Sequence, residues 1–331
     1  MHRIVVLSAM LVVACGSSPQ AFSWSARQGL PIPRTGHGAV SLGGKLYVIG
    51  GFSGSTLARV DQYDPASNSW TRKADLHSAR REFAAGVANG KIYVACGMSW
   101  SDPNAVTYVA TTEEYDPAAD TWTERAPCPA VPAVNNIFGN AHIGGTSAND
   151  RLYVAVTTPS SAALYQYDPV GNSWTSKEPP PFGLGDYALA DVGGQVYLLV
   201  SQSSGANPGT ASQLAQYDPT GDLWIIRAPL GGVWRAGLVA SGGKLYAVGG
   251  VGVTGGFSPP AVRPTSVLAS VTEYDPATDH WSTAGSFGAA RHGLGAALVG
   301  ADVYVTGGSS STNEFSPTPL TAVEVGAASP R

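Results

Sequence analysis

Five stretches of this chain carry one eight-residue pattern: Tyr-Asp-Pro, four further residues, then Trp. They are Tyr63–Trp70, Tyr115–Trp122, Tyr167–Trp174, Tyr217–Trp224 and Tyr274–Trp281. Each has Asn or Asp third after the proline, at Asn68, Asp120, Asn172, Asp222 and Asp279. The chemistry reads as strand, turn, strand. Proline fixes φ near −65° and keeps the preceding Asp extended. That Asp can accept backbone N–H bonds inside the turn, and the later Asn/Asp tolerates a left-handed conformation. Tyr and Trp bury large rings on the two strands of the hairpin. The tyrosines stand 52, 52, 50 and 57 residues apart. Five copies at so even a spacing demand an array of similar units.

A second element recurs upstream of each copy, a two-residue turn followed by an apolar strand. It occurs at Gly43–Val48, Asn89–Val94, Asn149–Val154, Gly193–Leu198, Gly242–Ala247 and Gly300–Val305. Gly-Gly and Asn-Gly accept φ > 0, which hairpin turns require. Several of these strands end in a glycine pair, as at Gly50-Gly51, Gly249-Gly250 and Gly307-Gly308. Each unit therefore holds four strands, and six tight-turn strands imply six units.

Paired glycines, an aromatic strand and a distal Trp at a period near fifty make the chain similar to kelch-repeat proteins. The resemblance spans about residues 22 to 326 and implies an all-β, six-bladed propeller with four strands per blade. Blades 3 and 4 depart from the pattern, because their second strands end at Val156-Thr157 and Val200-Ser201. The sixth blade has a candidate third strand at Thr321–Val325 but no Tyr-Asp-Pro…Trp after it. Ser23–Arg27 looks like Ser69–Lys73 and Ser173–Lys177. The N-terminal strand is thus expected to complete the last blade, with Trp24 beside the strand ending near Val325, closing the ring.

The chain has 331 residues, of which only 13% are charged, with a net charge of −4 and no Lys/Arg run. That gives no footprint for nucleic acid. Met1-His2-Arg3 is a short basic start, and Ile4–Ala14 is an apolar run too short to span a bilayer. Leu11–Cys15 resembles the lipobox of bacterial lipoproteins. Residues 1–15 are therefore expected to be a signal peptide, Cys15 the lipidated residue, 16–21 a tether and 22–331 one propeller. The expected location is the periplasm, outer membrane or cell surface, or the secreted fraction if cleavage falls near Gly16 instead. The lipid anchor would be the only membrane contact. In an oxidising compartment Cys96 and Cys128 can pair. Spacing alone does not bring their Cα atoms within about 7 Å, so two separately buried thiols are the favoured expectation. Three cysteines without C-x-x-C make no metal site, and no cofactor is expected.

Four up-and-down strands per blade send the tight turns and Asp-Pro turns to one face and longer, variable loops to the other. Variable loops on a rigid scaffold are where binding commonly resides, and Trp100, Phe257 and Phe315 lie in them. Counting back from each tight-turn tyrosine, position nine is always small: Gly38, Ala84, Gly144, Ala188, Gly237 and Gly295. Strand alternation puts positions eleven and thirteen on the same side. Position eleven holds Gly36, Glu82, His142, Asp186, Arg235 and Gly293; position thirteen holds Arg34, Arg80, Asn140, Leu184, Val233 and Arg291. Arg34, Arg80, Glu82, His142, Asp186, Arg235 and Arg291 become the candidate ligand-binding set at the channel mouth. Such a set suits an anion that arginine holds bidentately; equally, these charges can pair with one another as structure. Position twelve, with Trp234 and His292, is assigned to packing between blades.

These readings favour a non-enzymatic binding module, engaging a protein, peptide or anionic glycan, and expected to be a monomer. The alternative comes from the resemblance, since kelch-like propellers include bacterial sialic acid mutarotases. Glu82 or Asp186 would then transfer protons while Arg235 holds a carboxylate. The copper enzymes among kelch-like propellers need a Tyr–Cys cofactor and copper-binding histidines, and no Tyr-His pair occurs here.

Overall fold

The tight turns do what their glycines and asparagines permit: Gly43, Gly44, Asn89 and Gly90 all have positive φ. Between such turns, short runs rich in Val, Leu and Tyr form strands. The structure, a computed structural model, describes residues 22–102, 105–129, 142–158, 161–183, 185–202, 212–254, 263–313 and 316–328. The expected leader, Cys15 and the tether lie outside the described residues, as do Asn140, Leu184, Phe257 and Phe315.

The strands make six four-stranded antiparallel sheets among the described residues. Blade 1 comprises Gly38–Leu42, Lys45–Ile49, Val60–Asp64 and Ser69–Lys73; blade 2 comprises Ala84–Ala88, Lys91–Ala95, Thr112–Asp116 and Thr121–Arg125. Blade 3 has His142–Ala148, Arg151–Thr158, Ser161–Asp168 and Ser173–Lys177, and blade 4 has Gly185–Val192, Gln195–Gln202, Ser212–Asp218 and Leu223–Leu230. Blade 5 has Gly237–Ser241, Lys244–Val248, Ser270–Asp275 and His280–Ser286. Blade 6 joins Gly295–Val299, Asp302–Thr306 and Val323–Ala328 to the N-terminal strand Phe22–Ala26. There Trp24 pairs with Gly326 and Ser25 with Val325. The first strands pack in succession, blade 1 on 2 and so on to blade 6, which packs back on blade 1. They surround one channel. Apolar side chains fill the wedges between blades in six clusters, one for each neighbouring pair.

Each Tyr-Asp-Pro…Trp hairpin also fastens its blade to the one before. Tyr and Trp are register partners, their rings 5.0–5.1 Å apart. The tyrosine hydroxyl donates to the Asn/Asp at positive φ five residues on, at 2.6–2.7 Å. The same oxygen accepts the N–H of Gln28, Ala74, Ala126, Glu178 or Ala228, just beyond the preceding blade's outer strand or, for Ala228, within it. The carbonyl of that same residue accepts the indole N–H of the Trp.

Cys96 and Cys128 form a disulfide with Cα atoms 5.6 Å apart, which corrects the expectation of two separate thiols. Cys96 stands where three other blades carry the first glycine of the pair. Its φ of 59° falls among those of Gly50 (59°), Gly249 (63°) and Gly307 (53°), and that turn carries it to Cys128.

Candidate functional site at the channel mouth

Position eleven of blades 1, 2, 5 and 6 is a left-handed residue: Gly36, Glu82, Arg235 and Gly293, with φ between 49° and 62°. Their backbones form a belt around half the mouth. Glu82 N–H donates to Gly36 O at 2.9 Å, Gly36 N–H to Gly293 O at 2.9 Å, and Gly293 N–H reaches towards Arg235 O at 3.5 Å. Blades 3 and 4 contribute His142 and Asp186 from extended strands instead. Side chains link the remaining blades and reach across the channel. His142 Nδ1 lies 2.8 Å from Asp186 Oδ1, Arg235 Nε 3.3 Å from Asp186 Oδ2, and Arg235 Nη2 3.3 Å from Glu82 Oε1. These four side chains remain 13–20% exposed and so face the channel.

They line a cavity of about 460 Å³ whose walls are the six first strands. Position nine is small because neighbouring first strands pack closely there. A Cβ on Gly144 would stand 2.7 Å from Tyr187 O, and one on Gly295 2.7 Å from the Ala39 Cβ. Charges in the mouth are tightly matched. Burial alone would raise the Glu82 and Asp186 carboxyls, but both are held below the ordinary range, Glu82 by Arg81 and Arg235, Asp186 by Arg235 and His142. Burial opposes protonation of His142, yet Asp186 and Glu82 raise it above the usual imidazole value.

Arg34, Arg80 and Arg291 are not in the mouth. Each is 0% exposed. Arg34 pairs with Asp61, Arg80 with Glu113 and Arg291 with Glu324 at 2.5 Å, each acid lying in the third strand of the same blade. The expectation failed because period-two alternation holds only along an extended strand. A left-handed residue at position eleven turns position thirteen away from the channel and into the blade. The cationic bias expected of the mouth goes with them, leaving two carboxylates balanced by arginine and histidine.

Arg81, at position twelve, is the mouth residue that the sequence reading passed over. It lines the cavity and donates from Nη2 to Glu82 Oε1 at 2.5 Å. The Arg-Arg-Glu run at 80–82 was the available signal. His292 and Trp234, also at position twelve, behave as packing groups. His292 is buried with Nε2 2.7 Å from Ser311 O, and the Trp234 ring lies beside the Arg235 guanidinium. His280 is exposed on the uniform-turn face.

The Kelch motif matches residues 33–77, 79–129 and 235–288, which are blades 1, 2 and 5 with their connections. Kelch-like protein terF of Aspergillus terreus is 23% identical over 92% of this chain and 70% of its own length. Kelch-like protein 35 of Mus musculus is 29% identical over 49% of this chain, and Kelch-like protein 15 of Danio rerio is 28% identical over 80%. The chain spans 26% and 36% of the lengths of those two proteins. The solved structure of YjhT superposes with a TM-score of 0.70 over 90% of this chain and 96% of its own, at 15% identity. Together these support a kelch-repeat family and an all-β propeller fold.

Proposed function

We propose that this kelch-repeat propeller is an exported binding module that takes a polar ligand, glycan or peptide, at the mouth formed by Glu82, His142, Asp186 and Arg235. One observation carries the reading. Glu82 and Arg235 occupy left-handed positions that blades 1 and 6 fill with glycine. A side chain there costs roughly 1–2 kcal/mol over glycine, and such strain gathers at functional sites. Both strained side chains line the cavity. The alternation of acceptors and donors suits a ligand with several hydroxyl or amide groups. Export is supported by the leader-like start and by the Cys96–Cys128 disulfide, which persists in oxidising compartments. Lipidation at Cys15 would place the module at a membrane surface.

The test is a thermal-shift screen of the chain from residue 22 onward against acidic and neutral sugars and peptidoglycan fragments. A specific shift that disappears in Glu82→Gln/Arg235→Met supports the mouth. A shift that survives the double variant puts the ligand elsewhere. Arg34 and Arg80 are unsuitable for this test because their loss breaks buried pairs.

A second reading rests on the 2.8 Å contact between His142 and Asp186. A carboxylate that orients an imidazole beside another carboxylate can move protons to and from a sugar ring oxygen, as the mutarotase resemblance implies. Faster equilibration of N-acetylneuraminate anomers, followed by NMR and lost in His142→Gln, would make the chain an enzyme; an unchanged rate would leave it a binder.

A further inference from the structure

The mouth ion pairs at Arg235 are long, at 3.3 Å, whereas the contact of Arg81 with Glu82 is short. Arg81 is itself 3% exposed and lies against two rings, 4.4 Å from the Trp100 centroid and 5.2 Å from that of Phe52. Those rings meet edge to face at 5.7 Å. Trp100 belongs to the hairpin Met98–Asp102/Ala105–Tyr108 on the variable-loop face. That hairpin is fixed to the same arginine by its backbone: Arg81 N–H donates to Met98 O at 2.8 Å, and Met98 N–H to Arg81 O at 2.9 Å. Thr56 of blade 1 ties the hairpin from the other side, its Oγ1 accepting the Trp100 N–H at 2.8 Å.

We propose that Arg81 is the positioning residue of the mouth: gripped by Trp100 and Phe52, it fixes the Glu82 carboxylate against the channel and couples the blade 2 hairpin to the ligand site. A fold-stabilising arginine would spend its donors within its own blade, as Arg80 does on Cys96 O, Thr111 O and Glu113. Among the described residues, Arg81 Nε and Nη1 have no hydrogen-bond partner, and Nη2 goes to the mouth carboxylate. Aromatic rings, through cation–π attraction, take the place of the missing partners. A guanidinium held this way can turn without breaking a hydrogen-bond network, so a partner pressing on Trp100 alters the hold on Glu82. This role rests on the mouth being the ligand site.

The test is a carboxyl ¹³C NMR titration of the full chain labelled at glutamate, which needs no ligand. The charged groups around Glu82 are Arg81, Arg235, Asp186 and His142, so each variant keeps the last three. Arg81→Met should raise the Glu82 titration midpoint towards the ordinary carboxyl value, and Arg81→Lys should restore part of the depression. Trp100→Ala keeps the charge but loosens the grip, and it should give an intermediate midpoint. An unchanged Glu82 midpoint in Trp100→Ala and in Arg81→Met would overturn the proposal, even if both variants melt earlier. Should Arg81→Met not fold, Arg81→Lys and Trp100→Ala decide. A screen without any ligand would sink the binding site yet leave this titration to stand on its own.

Discussion

Arg34, Arg80 and Arg291 each sit wholly buried against one carboxylate, and that pairing has a sequence correlate. In blades 1 and 2 the acid lies two residues before the Tyr-Asp-Pro tyrosine, at Asp61 and Glu113. Blade 5 lacks both partners, with Val233 and Thr272 in those places. Glu113 also accepts the N–H groups of His77 and Ser78, so it holds the link between blades 1 and 2 as well as the arginine. Removing one member of such a pair leaves a buried charge and costs roughly 3–5 kcal/mol, whereas replacing both costs far less. Arg80→Met should therefore lower the unfolding free energy in urea by about that amount, and Arg80→Met/Glu113→Gln by clearly less than the two single losses combined. The mouth titrates differently. His142 is raised on folding, so its contribution is complete below the unfolded value near 6.5 and fades as pH climbs through the folded value. Depressed Asp186 contributes above the unfolded carboxyl value of about 3.9 and loses that as pH falls through its folded value. His37 opposes His142: burial pushes it down to about 3, so acidification below 6.5 destabilises the fold. A Tm–pH series should show that His142→Gln removes a decline on the alkaline side of 6.5, while His37→Asn softens the loss on the acid side.

At the scale of the element, the Tyr-Asp-Pro…Trp hairpin is a fastener between blades. Five copies clamp five junctions, and blade 6, built from two ends of the chain, has none. Its Trp24 packs 5.6 Å from the Phe287 ring, but among the described residues its buried Nε1 has no acceptor, unlike Trp174, which donates to Ala126 O at 3.0 Å. Trp174→Phe should cost about 1–2 kcal/mol in denaturant unfolding, from the lost bond and the stranded carbonyl. Trp24→Phe discards a donor that is already unsatisfied, so its cost should be smaller and come from packing alone. Equal losses would mean that the clamp bond contributes nothing. The hairpins, the tight turns and the closing strand were all legible in the sequence, because each is written in a local motif whose residues lie within ten positions. The Cys96–Cys128 bridge was not, since it depends on where a left-handed turn sends the chain. The same left-handed geometry at Gly36, Glu82 and Gly293 hid which arginines reach the channel, and it put Arg81 at the mouth instead of Arg80.

At the scale of the whole molecule, the ring is closed by hydrogen bonds between strands from opposite ends of the chain, and the mouth depends on that closure. The backbone belt runs Glu82, Gly36, Gly293, Arg235, and its middle link joins blade 1 to blade 6. Loosening blade 6 would therefore loosen Glu82 and Arg235 together, although neither belongs to it. The geometry offers a way to separate closure from chain order. Phe22 and Ala328 are register partners at the uniform-turn end, where every other blade connects these two strands by a four-residue Asp-Pro turn. A circular permutant that joins Ala328 to Phe22 through such a turn gives blade 6 the covalent hairpin it lacks. New ends between Gly43 and Gly44 fall in an exposed turn where an added Cβ meets nothing within 4 Å, a place that tolerates breaks. Blade 1 then becomes the blade closed by hydrogen bonds alone, while its outer hairpin still clamps Gln28. The permutant should unfold cooperatively with a Tm within a few degrees of the parent and keep the same Glu82 titration midpoint. Loss of cooperative unfolding would mean that blade 1 cannot serve as the seam. A normal Tm with a shifted Glu82 midpoint would show that the belt senses which blade closes the ring.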